Sequence, residues 1–325
     1  MAAGFYSPNE TLESDGLKAR LKRALHDRRG ILADVYDLLR WLDSPADVPL
    51  IAADFLGRRN APARLDRPVF IWGAPRSGTT LLYRLMSSHT DVGYNIHPKK
   101  QRPRESTNLW FDAFGEHRGP MDASLIRPAR LRRVCREHAS ILEAQGKPRF
   151  LGKSPFMTLW IPLVNEVFPD ARHIHVIRDG RAVLNSILYL IRHSEKLQAQ
   201  KFHEDRRLFG PQPAGLVNPM AQPQAGRHVQ QWCLMVEQGR KSRALLGERY
   251  AEATYEGLVT DPHGTMRAVL DHAQLPYDDA FIAATYPAEM PNRNYKFASD
   301  SSAIEADDRP YVKDMEPLLA ELGYL

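Results

Sequence analysis

The 325-residue sequence is poor in cysteine, with only Cys135 and Cys233. That scarcity excludes a disulfide scaffold and a cysteine-built zinc cluster, and it fits a reducing compartment. No uninterrupted apolar run approaches the roughly 18 residues that a membrane-spanning helix requires. The opening MAAGFYSPNETLESDGLKAR lacks a basic segment followed by an apolar one, so no secretory signal is expected. Internal repeats and low-complexity tracts are missing as well. The 12 histidines are scattered without the spacing of a metal centre. These absences together predict a soluble, cytoplasmic protein that uses no metal.

What is present is ordinary globular material, 43% hydrophobic and 26% charged. The length suits one large domain or two ordinary ones. Lys and Arg total 44 against 39 Asp and Glu, a formal net charge of +5. Such an excess favours an anionic partner: nucleic acid, a membrane surface or a phosphorylated small molecule. Arginine outnumbers lysine, which suits forked contacts to phosphate or carboxylate.

Residues 11–57 show helical spacing through Leu17, Leu21, Leu25, Ile31, Leu32, Val35, Leu38 and Leu39. The two prolines between Asn60 and Pro68 break that pattern. Val69 to Trp72 is then a short apolar run bounded by Pro68 and Gly73, as expected of a buried strand. A glycine turn and a helix over 80–89 follow. The same order recurs with a strand at His173–Ile177 and a helix at Arg181–His193. It recurs again with a strand at Arg249–Tyr255 and a helix over 262–274. Strands alternating with helices predict an α/β fold, a P-loop-type open parallel sheet flanked by helices. The expected organisation is an N-terminal helical extension over 1–66 and an α/β domain over 67–325. A Pro- and Gly-rich loop is expected over 195–226. Ligands in such sheets sit beyond the carboxyl ends of the strands, which places Arg76, Arg178 and Tyr255 on one rim.

The most specific signal is Gly73-Ala74-Pro75-Arg76-Ser77-Gly78-Thr79-Thr80. Its glycines have the G-x-x-x-x-G spacing of a phosphate-binding loop, whose backbone N–H groups and following helix N-terminus face an anion. A nucleotide-hydrolysing loop carries Lys directly after the second glycine. Here that position is Thr79, and the cation stands inside the loop at Arg76.

This octapeptide resembles the loop of the sulfotransferases that use 3′-phosphoadenosine 5′-phosphosulfate (PAPS). It is closest to the branch with Arg in the loop, which includes bacterial and tyrosylprotein sulfotransferases. The resemblance implies that Pro75, Arg76, Ser77, Gly78, Thr79 and Thr80 bind the 5′-phosphosulfate, with Arg76 beside the bridging oxygen. It also demands a 3′-phosphate site about a hundred residues later, and Arg178 and Ser186 in the segment Val176–Ser186 match that pair. Tyr255, in Tyr255-Glu256-Gly257-Leu258, matches the tyrosine packed near adenine, although Gly257 replaces the usual Asp. Lys153, in Lys153-Ser154-Pro155, matches a lysine that assists in the transition state. Lys296 and Ser301 stand where the family places a last basic and hydroxyl segment. The similarity covers residues 68–275.

The transferred group needs a deprotonated acceptor, so a base is sought among His and Glu. Glu105, ahead of Trp110 and Phe111, loosely matches the base of the tyrosylprotein and heparan N-sulfotransferase branches, and His97 is the alternative. Aromatic residues near Trp110 are expected to shape the acceptor pocket. Arg127, Arg130, Arg132, Arg133 and Arg136 have helical spacing, either as a solvated face or as a contact for an acidic acceptor. The resemblance thus implies a PAPS-dependent enzyme that releases 3′,5′-adenosine bisphosphate (PAP). Its acceptor would be a small molecule, carbohydrate or lipid bearing a hydroxyl or amine. Neither nucleic acid nor a membrane span is expected, and a homodimer is compatible with this reading. Two rival readings are a P-loop small-molecule kinase and a non-catalytic basic protein that binds nucleic acid.

Overall fold

Val69–Trp72 (β1) has no polar residue because both of its faces are covered, and all four side chains are buried. Phe70 and Trp72 belong to one core cluster, Val69 and Ile71 to another on the opposite face. In the computed structural model that describes residues 65–97, 99–126, 128–194, 208–216, 223–291, 304 and 306–325, β1 is the centre of the sheet. Beside it lie Val92–Tyr94 (β2), Arg149–Lys153 (β3), Arg172–Ile177 (β4) and Tyr250–Thr254 (β5), in the order β2-β3-β1-β4-β5. Every pairing is parallel.

Helix α1 (Thr79–Met86) follows β1 and contributes Leu82, Tyr83 and Met86 to the core on the Ile71 side. On the Trp72 side lie α2 (Thr107–Phe114), α3 (Pro128–Gln145), α4 (Ile161–Val167), α5 (Gly180–His193) and α6 (Gln224–Lys241). After the single turn α7 (Arg243–Leu246) and β5 come α8 (Tyr255–Thr260), α9 (Pro262–Ala273) and α10 (Asp279–Thr285). Helix α9 adds Met266, Val269 and Leu270 to the Ile71 side, and α11 (Glu316–Glu321) adds Leu318 and Leu319 to the Trp72 side. Residues 62–126 and 131–325 make up one compact unit. No helix among the described residues is long and apolar enough to cross a membrane.

The parallel register sets Ile71 opposite Lys153 and Trp72 opposite His175. The carboxyl ends of β1 and β3 therefore lie within one residue of each other, β4 runs two residues further to finish beside the end of β5, and the segments after all four leave from the same edge of the sheet. Three expectations are adjusted. Tyr255 does not end a strand: it opens α8, whose N-cap Thr254 accepts from the Gly257 N–H at 3.0 Å. The Pro- and Gly-rich stretch stops at Pro223, since Gln224 to Gly226 already form the first turn of α6. The strands β2 and β3 add to the three legible in sequence. The helical segment 11–57 lies outside the described residues.

His173 and His175 project from β4 into the core. The Trp72 indole N–H donates to His173 Nδ1 at 3.3 Å, and its ring stacks on His175 at 4.6 Å between centroids. Burial pushes the pKa of His173 and His175 down to about 3, and that of His138 and His228 to about 4. Each imidazole stays neutral in the folded chain and takes its proton readily only when unfolded. Stability from these groups is complete above their ordinary pKa of 6.5 and is lost as pH falls toward 4 and then 3. The unfolding free energy should therefore fall between about pH 7 and pH 5, by on the order of 1 kcal/mol per histidine, and the thermal midpoint with it. A midpoint flat over that interval, measured by calorimetry, would contradict the burial of these rings.

Candidate active site

The loop leaving β1 needs its glycines for two separate reasons. A Cβ on Gly73 would lie 2.2 Å from the Val176 carbonyl oxygen, so the loop can cross β4 only with hydrogen there. Gly78, at φ +95°, caps α1, and a Cβ on it would meet the Tyr255 ring at 2.7 Å. Between them, Arg76 takes φ +70° without being glycine. That conformation costs about 1 kcal/mol and persists only where surroundings enforce it. The enforcement is visible. Arg178 Nη1 donates to the Arg76 carbonyl at 2.9 Å, and Arg76 Nε donates to Ser186 Oγ at 3.0 Å. Ser77 is wholly buried, and its hydroxyl has no partner among the described residues. Thr79 is buried and Thr80 exposed on the first turn of α1, where backbone N–H groups have no intrahelical acceptor.

The second candidate segment follows β4. Asp179 caps α5 by accepting from the Arg181 N–H at 2.9 Å, which fixes the turn that carries Arg178. Arg178 is buried, with its guanidinium 4.1 Å above the centre of the Tyr255 ring. Burial lowers its pKa, while Tyr255 and Glu256 oppose that shift. Tyr255 is itself buried between Gly78 and Arg178, so it joins the two loops from behind. Ser186 sits two turns along α5 and is also buried.

The end of β3 supplies a third group. Lys153 is buried, and Nζ pairs with Glu105 Oε1 at very short range, the carboxylate side being half-exposed. Burial lowers the Lys153 pKa, Glu105 works against that, and Arg76 and Arg84 add to the lowering. The charges of Lys153 and Arg76 thus feel one another. The Glu105 segment is tied to β3 by Ser106, whose N–H donates to the Lys153 carbonyl at 2.9 Å and whose hydroxyl accepts from the Lys153 N–H at 3.1 Å. Asn95 Nδ2 donates to the Glu105 carbonyl at 2.9 Å, and Tyr83 donates to that of Arg104 at 3.0 Å.

Other expected residues are placed differently. His97 Nδ1 accepts the N–H groups of Lys99 and Lys100, each at 3.2 Å, and so closes its own turn. Trp110 itself faces the core. It is fully buried, stacked on Phe114 and edge-on to Phe70, because α2 turns that face into the core. Phe111 packs on Phe156 and Trp160 instead. Arg133 pairs with Glu137 one turn along α3 at 2.9 Å, and Arg127, Lys296 and Ser301 lie outside the described residues. The segment 208–216, within the expected Pro- and Gly-rich loop, comes back to the phosphate-binding loop. Gln231 Nε2 donates to the Pro211 carbonyl at 2.6 Å, which sets Gly210 so close to Pro75 that an added Cβ would meet its ring at 2.9 Å. Among the described residues no group of three or more His, Cys, Asp or Glu could hold a metal ion.

The strain at Arg76 can be measured. Arg76→Gly and Arg76→Ala both lose the bond to Ser186, but only alanine keeps a Cβ in the left-handed region. The glycine variant should be more stable in urea by about 1 kcal/mol, against the usual preference for alanine. Equal midpoints would show that the loop backbone is unstrained.

Residues 68–279 match the model of the sulfotransferase family. A protein-tyrosine sulfotransferase of Drosophila melanogaster is 24% identical over 278 residues, 79% of this chain and 51% of that protein. Nodulation protein NoeE of Sinorhizobium fredii (strain NBRC 101917 / NGR234) is 32% identical over 133 residues, 36% of this chain and 30% of its own. The chain spans about half the length of the curated relatives it matches first. Among solved structures, sulfotransferase STF9 of Mycobacterium avium superposes with a TM-score of 0.55 at 17% identity, covering 96% of this chain and 91% of that one. That likeness shows a shared fold. With the family model matched across most of the α/β unit, and with the loop, strand ends and helix N-termini arranged as described, the chain belongs to the sulfotransferase family.

Proposed function

We propose that the protein transfers the sulfuryl group of PAPS to a hydroxyl or amine of an acceptor and releases PAP. The observation that carries this reading is the pair of anion grips joined by Arg76, Arg178 and Ser186, held together by hydrogen bonds of 2.9 and 3.0 Å. Two grips on adjacent strand ends suit a nucleotide phosphorylated at both 5′ and 3′ positions. The buried, unpartnered Ser77 hydroxyl is a further donor waiting in the first grip. Arg76, Ser77, Gly78, Thr79 and Thr80 would hold the 5′-phosphosulfate. Arg178 and Ser186 would hold the 3′-phosphate, with Tyr255 bracing both.

In the reaction Glu105 takes the proton of the acceptor as the bond from sulfur to the acceptor oxygen or nitrogen forms and that to the bridging oxygen breaks. Arg76 and Lys153 stabilise the negative charge left on the bridging oxygen, so positioning and cations supply most of the rate enhancement. Glu105 is favoured over His97 because it reaches Lys153, whereas His97 Nδ1 is engaged in its own turn. The kinase reading lacks the lysine after the second glycine, where Thr79 stands. Relatives named as protein-tyrosine sulfotransferases make a phenolic hydroxyl the first acceptor to assay, ahead of carbohydrate and lipid alcohols. Action in the cytoplasm, without nucleic acid and with a homodimer as one assembly, belongs to the same proposal.

Calorimetry separates the readings. The protein should bind PAP far more tightly than AMP, and equal weak binding of both would sink the proposal. EDTA should leave sulfuryl transfer from radiolabelled PAPS intact. Arg178→Ala should chiefly weaken PAP binding, by about ten- to a hundredfold. Arg76→Ala and Lys153→Ala should lower kcat by roughly a hundredfold or more. Glu105→Gln should lose about 10²- to 10⁴-fold in kcat, and near-full activity would remove Glu105 as the base.

A further inference from the structure

Arg178 has carboxylates for neighbours on two elements. Asp179 follows it in the chain, and Glu256 follows Tyr255, the residue whose ring lies under the Arg178 guanidinium. Both carboxylates act electrostatically on Arg178. An anion site bordered in this way has a rival built into it, because a carboxylate can repel an arriving phosphate or take its place on the arginine.

Both acids have other partners. Asp179 accepts from Arg181 Nε at 3.0 Å and from Arg181 Nη2 at 2.8 Å, besides capping α5. Glu256 accepts on Oε1 from the Asp179 N–H at 3.3 Å and on Oε2 from the Tyr324 hydroxyl at 2.9 Å. Arg181 Nη2 also donates to the Tyr324 carbonyl at 2.8 Å. Tyr324 thus closes the network from both sides, by its hydroxyl on Glu256 and by its backbone on the partner of Asp179. It stands beyond residues 68–279, the span matched by the family model.

We propose that Tyr324, together with Arg181, is a positioning residue of the nucleotide site that keeps Glu256 and Asp179 from competing with a 3′-phosphate for Arg178. The proposal rests on the reading of Arg178 and Ser186 as a 3′-phosphate grip. Tyr324 touches no ligand in this account. It acts by holding a neighbouring negative charge in a fixed place, which a purely structural contact would not do selectively for one phosphate.

The test is calorimetric titration of PAP and of AMP, which lacks the 3′-phosphate, into the wild type, Tyr324→Phe and the double variant Tyr324→Phe/Glu256→Gln, each with a thermal melt. Tyr324→Phe removes only the hydroxyl, and it should bind PAP about tenfold more weakly while AMP binding stays unchanged. The double variant should recover most of that loss, because glutamine brings no charge to the site. Arg181→Gln, which releases Asp179 from the other side, is the second single variant and should show the same selective loss. The role of Tyr324 is overturned if Tyr324→Phe leaves PAP affinity unchanged, weakens both nucleotides equally, or is not rescued by Glu256→Gln. A wild type that does not prefer PAP to AMP overturns the nucleotide reading itself, a result separate from any of these.

Discussion

Arg178 donates to the carbonyl of Arg76 across the gap between the ends of β4 and β1 and, with the bond from Arg76 to Ser186, ties together two segments a hundred residues apart in sequence. The geometry behind it is demanding. Arg76 must present its carbonyl from a left-handed backbone, which in turn requires Gly73 to cross β4 at van der Waals contact and Gly78 to turn into α1 against Tyr255. Arg178 must be buried to reach it, and burial of a guanidinium is tolerated because the Tyr255 ring lies against it and the charges of Asp179 and Glu256 act on it. Each of these conditions serves the others. Loss of one weakens the hold on the left-handed backbone at Arg76.

The sheet makes this economy available. Parallel pairing sends the ends of β1, β3 and β4 to the same edge of the sheet, so groups from distant segments converge without long loops. Lys153 lies opposite Ile71, one residue before the end of β1, and Ser106 clamps the Glu105 segment back onto it. The charge-bearing face of the protein is therefore a property of strand order, and only a few of the cations that give the net charge of +5 are spent there.

What could be read beforehand follows from how local the signals are. β1 and its loop were legible because an apolar run ends at a glycine and a specific octapeptide follows. The segment from Arg178 to Ser186 was legible because its strand, turn and helix are contiguous. β3 was hidden by charge at both ends. Arg149 is buried by donating to the backbone carbonyls of Arg67, Ala273 and Gln274, and Lys153 by pairing with Glu105. A charged residue looks like surface until its partners are known, and these partners come from distant parts of the chain. β2 has three residues, too few for any period to show. Trp110 shows the converse: an aromatic near a basic loop can equally belong to the core, and the face of α2 that bears Trp110 does. Tyr324 gave no signal, since its role depends on carboxylates brought to it by two other loops.

The Lys153–Glu105 pair adds a dependence of its own to the proposed chemistry. Burial presses the Lys153 ammonium to give up its proton, and Glu105 opposes that pressure. When Glu105 takes the acceptor proton it becomes neutral, and its support for the ammonium ends. At that moment negative charge is growing on the bridging oxygen, and the buried ammonium regains a counter-charge by turning toward it. Base and cation are thus coupled through one ion pair, so that proton removal from the acceptor strengthens the donor to the departing group. Arg76, held at the same rim and felt electrostatically by Lys153, adds a cation that never loses its charge. A site with the base and the lysine far apart would need two independent adjustments where this one needs a single transfer of partners.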